Sequence, residues 1–296
     1  MQNRSVVILI VVLSCILVFG FFGVALIVSF GGGGGFDFRG FGPRVAVVEL
    51  YGEIADSRDF VEQIKKWTED DGVPAIVIDI DSPGGAVAPS QEMYDQVMKA
   101  RQSGKIVIAS TRSVCASGAY MVACAADKIV ANPGTLTGSI GVILKFPTAQ
   151  KLFDKLGIRW ETVKSGELKD VGDWARPMTP EEERMLKAVI DDTYEQFVET
   201  VAEGRDRPKE EIYPLADGSV FTGRQAYNMG LIDTLGTFED AVNIAGELAG
   251  IGPNPDIVKE KRKKPGVWDL LYGGLELVQR LNQFERSQPA LMYLYQ

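Results

Sequence analysis

Ile106-Val-Ile-Ala-Ser110 runs on through Thr111 and Arg112 into Ser113-Val-Cys-Ala-Ser117-Gly-Ala-Tyr-Met121, and the reading of this stretch decides the fold. The first five residues are a short apolar run bounded by polar positions, which predicts a buried strand. From Ser117 to Ala126 the residues are small, apolar and free of proline, which predicts a buried helix. Ser117 therefore stands where a strand hands over to a helix N-terminus. Free N–H groups and the positive dipole end favour a developing negative charge there. Two readings of Ser117 are open at this point. It is an N-cap, a favoured role for serine, or it is a nucleophilic hydroxyl aimed by the turn.

Working outward, strands and helices alternate. Val45 to Leu50 and Ala75 to Ile80 read as strands, the second apolar enough to be buried on both faces. Asp59 to Trp67 reads as an amphipathic helix with Phe60, Ile64 and Trp67 on one face. Ser90 to Ala100 and Thr148 to Leu156 read as helices, the latter stopped by Gly157. Lys128 to Ala131, Arg159 to Val163 and a segment from Ile143 read as strands. Thr179-Pro-Glu-Glu182 is a capping box with proline at the first helical position, opening a long helix to about Glu203. Val220 to Leu231 reads as a strand edge and a short helix, and Thr237 to Leu248 as another helix. This alternation predicts an α/β domain with a parallel or mixed sheet.

The ends differ in character. Val6 to Phe30 has no charged residue and would span about 37 Å as a helix, enough to cross a bilayer. Its length and the lack of an A-x-A-like end favour a retained anchor over a cleaved signal peptide. Arg4 on one side and Arg39, Arg44 and Asp37 on the other leave its orientation undecided. Gly31 to Gly35 lacks the preceding strand and following helix of a phosphate loop and reads as a tether. Past Gly250, Pro253, Pro255 and Lys259 to Lys264 read as a solvated connector. Val267 to Phe284 is apolar at helical spacing. Leu291-Met-Tyr-Leu-Tyr295 is apolar enough to dock on this chain or a neighbour.

Composition removes several chemistries. The 296 residues carry a net charge of −9, which disfavours sequence-independent nucleic-acid binding. Three cysteines, Cys15, Cys115 and Cys124, make no disulfide framework. There is no histidine, so a Ser-His-Asp triad, a Cys-His pair and any His-ligated metal site are excluded. A serine nucleophile would need another base, and a buried lysine is the usual substitute. Lys169 lies in a glycine-bounded polar segment, Lys164-Ser-Gly-Glu-Leu-Lys-Asp170, although most loop lysines are merely solvated. Ser82-Pro-Gly-Gly85 follows a strand, where paired glycines let backbone N–H groups face a ligand; read alone it is an ordinary turn. Thr137-Gly-Ser-Ile-Gly141 is a third set of small residues beside a strand.

Taken together and in this order, Asp81-Ser-Pro-Gly-Gly85, Ala116-Ser-Gly-Ala-Tyr120, Thr137-Gly-Ser-Ile-Gly141, Lys164 to Asp170, Arg176-Pro-Met-Thr179 and Asp217 to Ala226 resemble the short bacterial form of signal peptide peptidase A. The resemblance runs from the anchor to about Gly250. It implies a Clp protease/crotonase-like α/β fold preceded by one transmembrane helix. The expected organisation is a signal anchor at 1–30, a linker at 31–44, a protease domain at 45–250 and a C-terminal extension at 251–296. It implies a Ser-Lys serine protease of the bacterial cytoplasmic membrane, catalytic domain on the outer side, degrading signal peptides and similar apolar peptides. No metal or cofactor is expected. Ser117 matches the nucleophile, Lys169 the base, and Ser139 a hydroxyl that orients the lysine amine. Gly84 matches the first oxyanion donor, with Gly85 the adjacent alternative, and Gly118 the second. A homo-oligomer is implied, in which one active site draws on two chains. Burial is expected to keep Lys169 neutral, and the apolar tail is expected in the groove as a pseudo-substrate. Competing readings are a non-hydrolytic membrane scaffold of the same fold and an acyl-CoA enzyme of crotonase type.

Overall fold

The computed structural model describes residues 42–260 and the short strand Met292–Leu294. The expected span Val6–Phe30, the glycine tether, the helix at Val267–Phe284 and the basic residues 261–264 lie outside the described residues. Among the described residues, no helix is long and apolar enough to cross a membrane.

The elements follow in chain order: β1 (Val45–Tyr51), α1 (Arg58–Glu69), β2 (Ala75–Ser82), β3 (Gly84–Ala86), α2 (Val87–Gln102), β4 (Ile106–Ala116), α3 (Gly118–Cys124), β5 (Lys128–Ala131), β6 (Leu136–Gly138), α4 (Gln150–Leu156), a 3₁₀ turn (Glu167–Asp170) and α5 (Pro180–Gly204). They continue with α6 (Lys209–Ile212), a second 3₁₀ turn (Tyr213–Leu215), β7 (Val220–Thr222), α7 (Gly223–Asn228), β8 (Thr234–Leu235), α8 (Phe238–Leu248), β9 (Ile257–Lys259) and β10 (Met292–Leu294).

The main sheet runs β7-β6-β4-β2-β1-β9, with β5 and β8 branching from β4. All its pairings are parallel except β6–β7. This agrees with the mixed α/β class expected from the alternation. Period-two side chains divide the core. Ala46, Val48, Ile76, Ile78 and Val107 face α1, α2, α3 and α5, and Phe60, Ile64, Trp67, Tyr120 and Phe197 fill that side. Val45, Val47, Ala75, Val77 and Ile108 face α8, which supplies Ala241, Val242 and Ala245.

The sheet forks at β4. Its first half pairs with β5, Ile108 to Thr111 against Lys128 to Ala131. Its second half pairs with β6, Val114 to Ala116 against Leu136 to Gly138. The register with β2 slips between the halves. Ile80 faces Thr111 and Ser82 faces Cys115, so four steps of β4 match two of β2. Such a bulge bends a strand and raises its twist.

Several elements depart from the sequence reading. β4 extends to Ala116, six residues past the expected end, because β6 gives its second half a partner. The expected strand at Arg159–Val163 is irregular and exposed, since no strand pairs with it among the described residues. The strand near Thr137 is Leu136–Gly138, and none starts at Ile143. Ile257–Lys259, read as solvated connector, pairs with β1. The Thr179 capping box is present as expected, and similar boxes open α7 at Thr222 and α8 at Thr237.

Candidate active site

The site is assembled at the end of β4. Ser117 has φ 53° and ψ −121°, a conformation that costs a non-glycine residue roughly 1–3 kcal/mol. Its backbone is fixed from both sides. The Ser117 N–H donates to the Gly138 carbonyl at 2.8 Å, and the Ser117 carbonyl accepts from Met121 N–H at 2.9 Å. Ser117 is almost wholly buried, yet its Oγ has no hydrogen-bond partner among the described residues. A buried hydroxyl left unpaired on a strained backbone is expensive twice over. The cap reading fails on the same facts, since no side-chain capping bond forms.

Gly118 is the first residue of α3, so its N–H precedes the helical ladder. Packing of α3 against β3 brings the 84–86 segment alongside. Gly84 has φ 93°, and its N–H donates to Ser82 Oγ at 3.2 Å. That amide is engaged within its own turn. The Gly84 carbonyl accepts from Ile54 N–H at 2.8 Å, and Ala86 N–H donates to the Ile54 carbonyl at 2.7 Å. Gly85 lies between these two bonds. A Cβ there would sit 2.1 Å from the Ile54 carbonyl oxygen, so only glycine fits.

Ser139 is also buried with a positive φ, 51°, and its N–H donates to the Ser219 carbonyl at 2.8 Å. It directly follows β6, whose Gly138 holds Ser117. Ser117, Gly118, Ser139 and the 84–85 turn thus meet around the β4–β6 fork.

Lys169 does not share their burial. It is exposed, in the 3₁₀ turn Glu167–Asp170, and its ammonium has no partner among the described residues. The expected burial of Lys169 is corrected accordingly. The physical reason is that its segment is largely exposed among the described residues. α4 has no buried residue, and Leu156 and Trp160 are each 61% exposed. The segment packs on itself: Phe153 meets Trp160 and Trp174 edge to face, with centroids 5.9 and 6.0 Å apart. It is tied to α5 by charge. Arg176 bridges Asp170 at 2.8 Å and Glu182, while Lys164 bridges Asp170 at 2.6 Å. Hydrogen bonds from Arg176 and Lys164 hold the Asp170 carboxyl down at about 2. Arg176 and the Thr179 N–H do the same for Glu182.

β10 pairs antiparallel with β3, Leu294 opposite Gly84, Tyr293 opposite Gly85 and Met292 opposite Ala86. It also packs against α2 and α3. Met292–Leu294, the described part of the apolar tail, therefore lies on the strand that carries the candidate oxyanion glycines. Sequence reading assigned no role to Asp81, Ser82, Ile54 or Thr137. Yet Thr137 Oγ1 donates to the Cys115 carbonyl at 2.7 Å, and Asp81 accepts from Val114 N–H. Asp81 and Ser82 belong to a stretch singled out for its glycines, which hid the side chains before them. Cys115 and Cys124 are buried free thiols, pushed up by burial and inert. Among the described residues there is no cluster suited to a metal ion.

Residues 99–252, about half of the chain and including β4, Ser117, Ser139 and Lys169, match the sequence profile of peptidase family S49. A Synechocystis protein with a provisional protease name is 43% identical over 212 residues, covering 71% of this chain and 76% of the relative. Protease 4 of Salmonella typhi is 36% identical over 217 residues, 70% of this chain and 35% of that protein. A provisional signal peptide peptidase SppA of Enterococcus faecium is 34% identical over 191 residues, 64% of this chain and 56% of the relative. Similarity of this extent places the chain in peptidase family S49, among serine peptidases of the signal peptide peptidase A type.

Proposed function

We propose that the protein is a membrane-anchored endopeptidase with a Ser117–Lys169 dyad completed between two copies of the chain. The observation that carries this reading is the Ser117 hydroxyl, buried, unpaired and held on a strained backbone. Ser117 Oγ attacks the scissile carbonyl, and the Lys169 amine of a second copy takes its proton and returns it to the leaving nitrogen. Water hydrolyses the acyl-enzyme by the same route. Seating the 146–178 segment on another copy would cover its exposed aromatic face and desolvate Lys169, lowering the cost of a neutral amine. Ser139 would hold that amine in line.

Gly118 N–H would donate to the oxyanion, together with the Gly84 amide once it exchanges Ser82 Oγ for substrate, or with Gly85. Each such donor contributes roughly 3–4 kcal/mol to the transition state. An extended peptide adds to β3 as an antiparallel strand, in the manner of β10, so affinity comes from main-chain bonds. Signal peptides left in the membrane fit this demand, being apolar and unfolded. Val6–Phe30 as an anchor, with the protease domain on the outer side, would hold the site near them.

Ser117→Ala tests the reading. It should abolish hydrolysis of fluorogenic apolar peptides. Its melting temperature should not fall, since the change removes an unpaired buried oxygen. Full activity in this variant would contradict the proposal.

A further inference from the structure

The bulge in β4 leaves a backbone donor without a strand partner. Between Thr111 and Cys115 the β2–β4 ladder is interrupted, and Val114 N–H has no β2 carbonyl opposite it. The Asp81 side chain fills the gap, its Oδ1 accepting from Val114 N–H at 3.0 Å. Asp81 is fixed in turn, since its carbonyl accepts from Gly52 N–H at 2.9 Å. Val114 is three residues before Ser117, and the intervening Cys115 and Ala116 pair with β6. Two threonines of β6 and its approach bind the carbonyls of the same bulge. Thr135 Oγ1 donates to Arg112 O at 2.5 Å and Thr137 Oγ1 to Cys115 O at 2.7 Å. The bulge thus has side-chain acceptors on one side and side-chain donors on the other. The next residue, Ser82, faces the opposite way and accepts from Gly84 N–H at 3.2 Å.

We infer that Asp81 is a positioning residue for the peptidase reaction, setting where Ser117 and the Gly118 N–H stand relative to the Gly84–Gly85 turn. It does so as a hydrogen-bond acceptor at one fixed point. The inference rests on the reading of Ser117 as the nucleophile. It goes further by naming the group outside the reacting set that fixes the distance between the two halves of the oxyanion site. Displacing catalytic groups by about 1 Å costs on the order of a hundredfold in rate.

The test uses the full-length chain with Asp81→Ala, Asp81→Asn, Asp81→Glu and Ser117→Ala, assayed on one fluorogenic apolar peptide and on a peptide boronic acid of matching sequence. Asparagine keeps an acceptor oxygen in place, whereas glutamate keeps the charge but moves the oxygen. The expected result for Asp81→Ala and Asp81→Glu is kcat lowered roughly 10- to 100-fold with KM little changed, and boronate affinity weakened by the same factor. Asp81→Asn should retain most of kcat. A merely structural role would lower melting temperature without linking kcat to boronate affinity. If Asp81→Asn is as impaired as Asp81→Ala, or if Asp81→Glu keeps parental kcat, the inference is overturned. Parental activity in Ser117→Ala would instead overturn the nucleophile assignment, whatever the Asp81 variants do.

Discussion

In the proposed reading a single serine carries the chemistry, and the cost of placing it is visible in its neighbours. Ser117 is held at φ 53° by a bond to Gly138, and Gly138 itself is confined. A Cβ on Gly138 would lie 2.7 Å from the Phe221 ring, and its φ is 84°. The Gly85 position is tighter still, because the group in the way is the Ile54 backbone rather than a movable side chain. Gly85→Ala is therefore expected to lose activity and to destabilise the fold by about 1–3 kcal/mol or more, read by thermal melting. Normal stability in that variant would show that the 84–86 turn relaxes freely. The residue types at these points were legible in the sequence. Their roles rested on family resemblance, because spacing alone does not say which amide a glycine turns toward. Ser82 accepting the Gly84 N–H is the kind of local bond that no periodicity reveals.

At the scale of elements, two segments outside the main sheet bear on the proposed reaction. The first is β10 on β3. If a substrate strand uses the same edge, as proposed, removing residues 291–296 is expected to raise peptide turnover and lower KM. Unchanged kinetics after truncation would mean that β10 does not compete with substrate. The second is the Lys169 segment, stapled to α5 through Asp170, Arg176 and Glu182. Both carboxyls bind protons less readily folded than unfolded, from ordinary values of 3.8 and 4.5 down to about 2. Their stabilisation is complete above about pH 4.5 and is lost as pH falls toward 2. Arg176→Gln should shift this acid loss upward toward the ordinary carboxylate range, followed by tryptophan fluorescence of Trp160 and Trp174 against pH. An unshifted acid transition would show that the staple does not hold the segment. The sequence reading missed this segment's state for a physical reason. Arg159–Val163 has strand-forming composition, but a strand needs a partner, and no strand pairs with it among the described residues.

Across the whole molecule, what the sequence made legible follows the cores. β1, β2, β5, α1 and α8 are apolar at the right period and lie close to where periodicity puts them, because each buries one face against the same sheet. The fork at β4 was not legible, since it depends on a β6 partner that starts 20 residues after β4 ends. Nor was the exposed Lys169, because a sequence does not show which surface a second copy covers. A serine that is buried and a lysine that is exposed, each without a side-chain partner among the described residues, are what the proposed assembly would bring together. If the dyad forms between copies, the contact is heterologous, each chain giving a serine to one site and a lysine to another.

That arrangement is tested by mixing. Ser117→Ala and Lys169→Ala, each prepared alone, are expected to be inactive and folded. Co-expressed in equal amounts, they should regain about one quarter of parental turnover, the fraction of interfaces that pair an intact serine with an intact lysine. No recovery, in mixed assemblies shown to contain both variants, would place both residues in one chain and contradict the account.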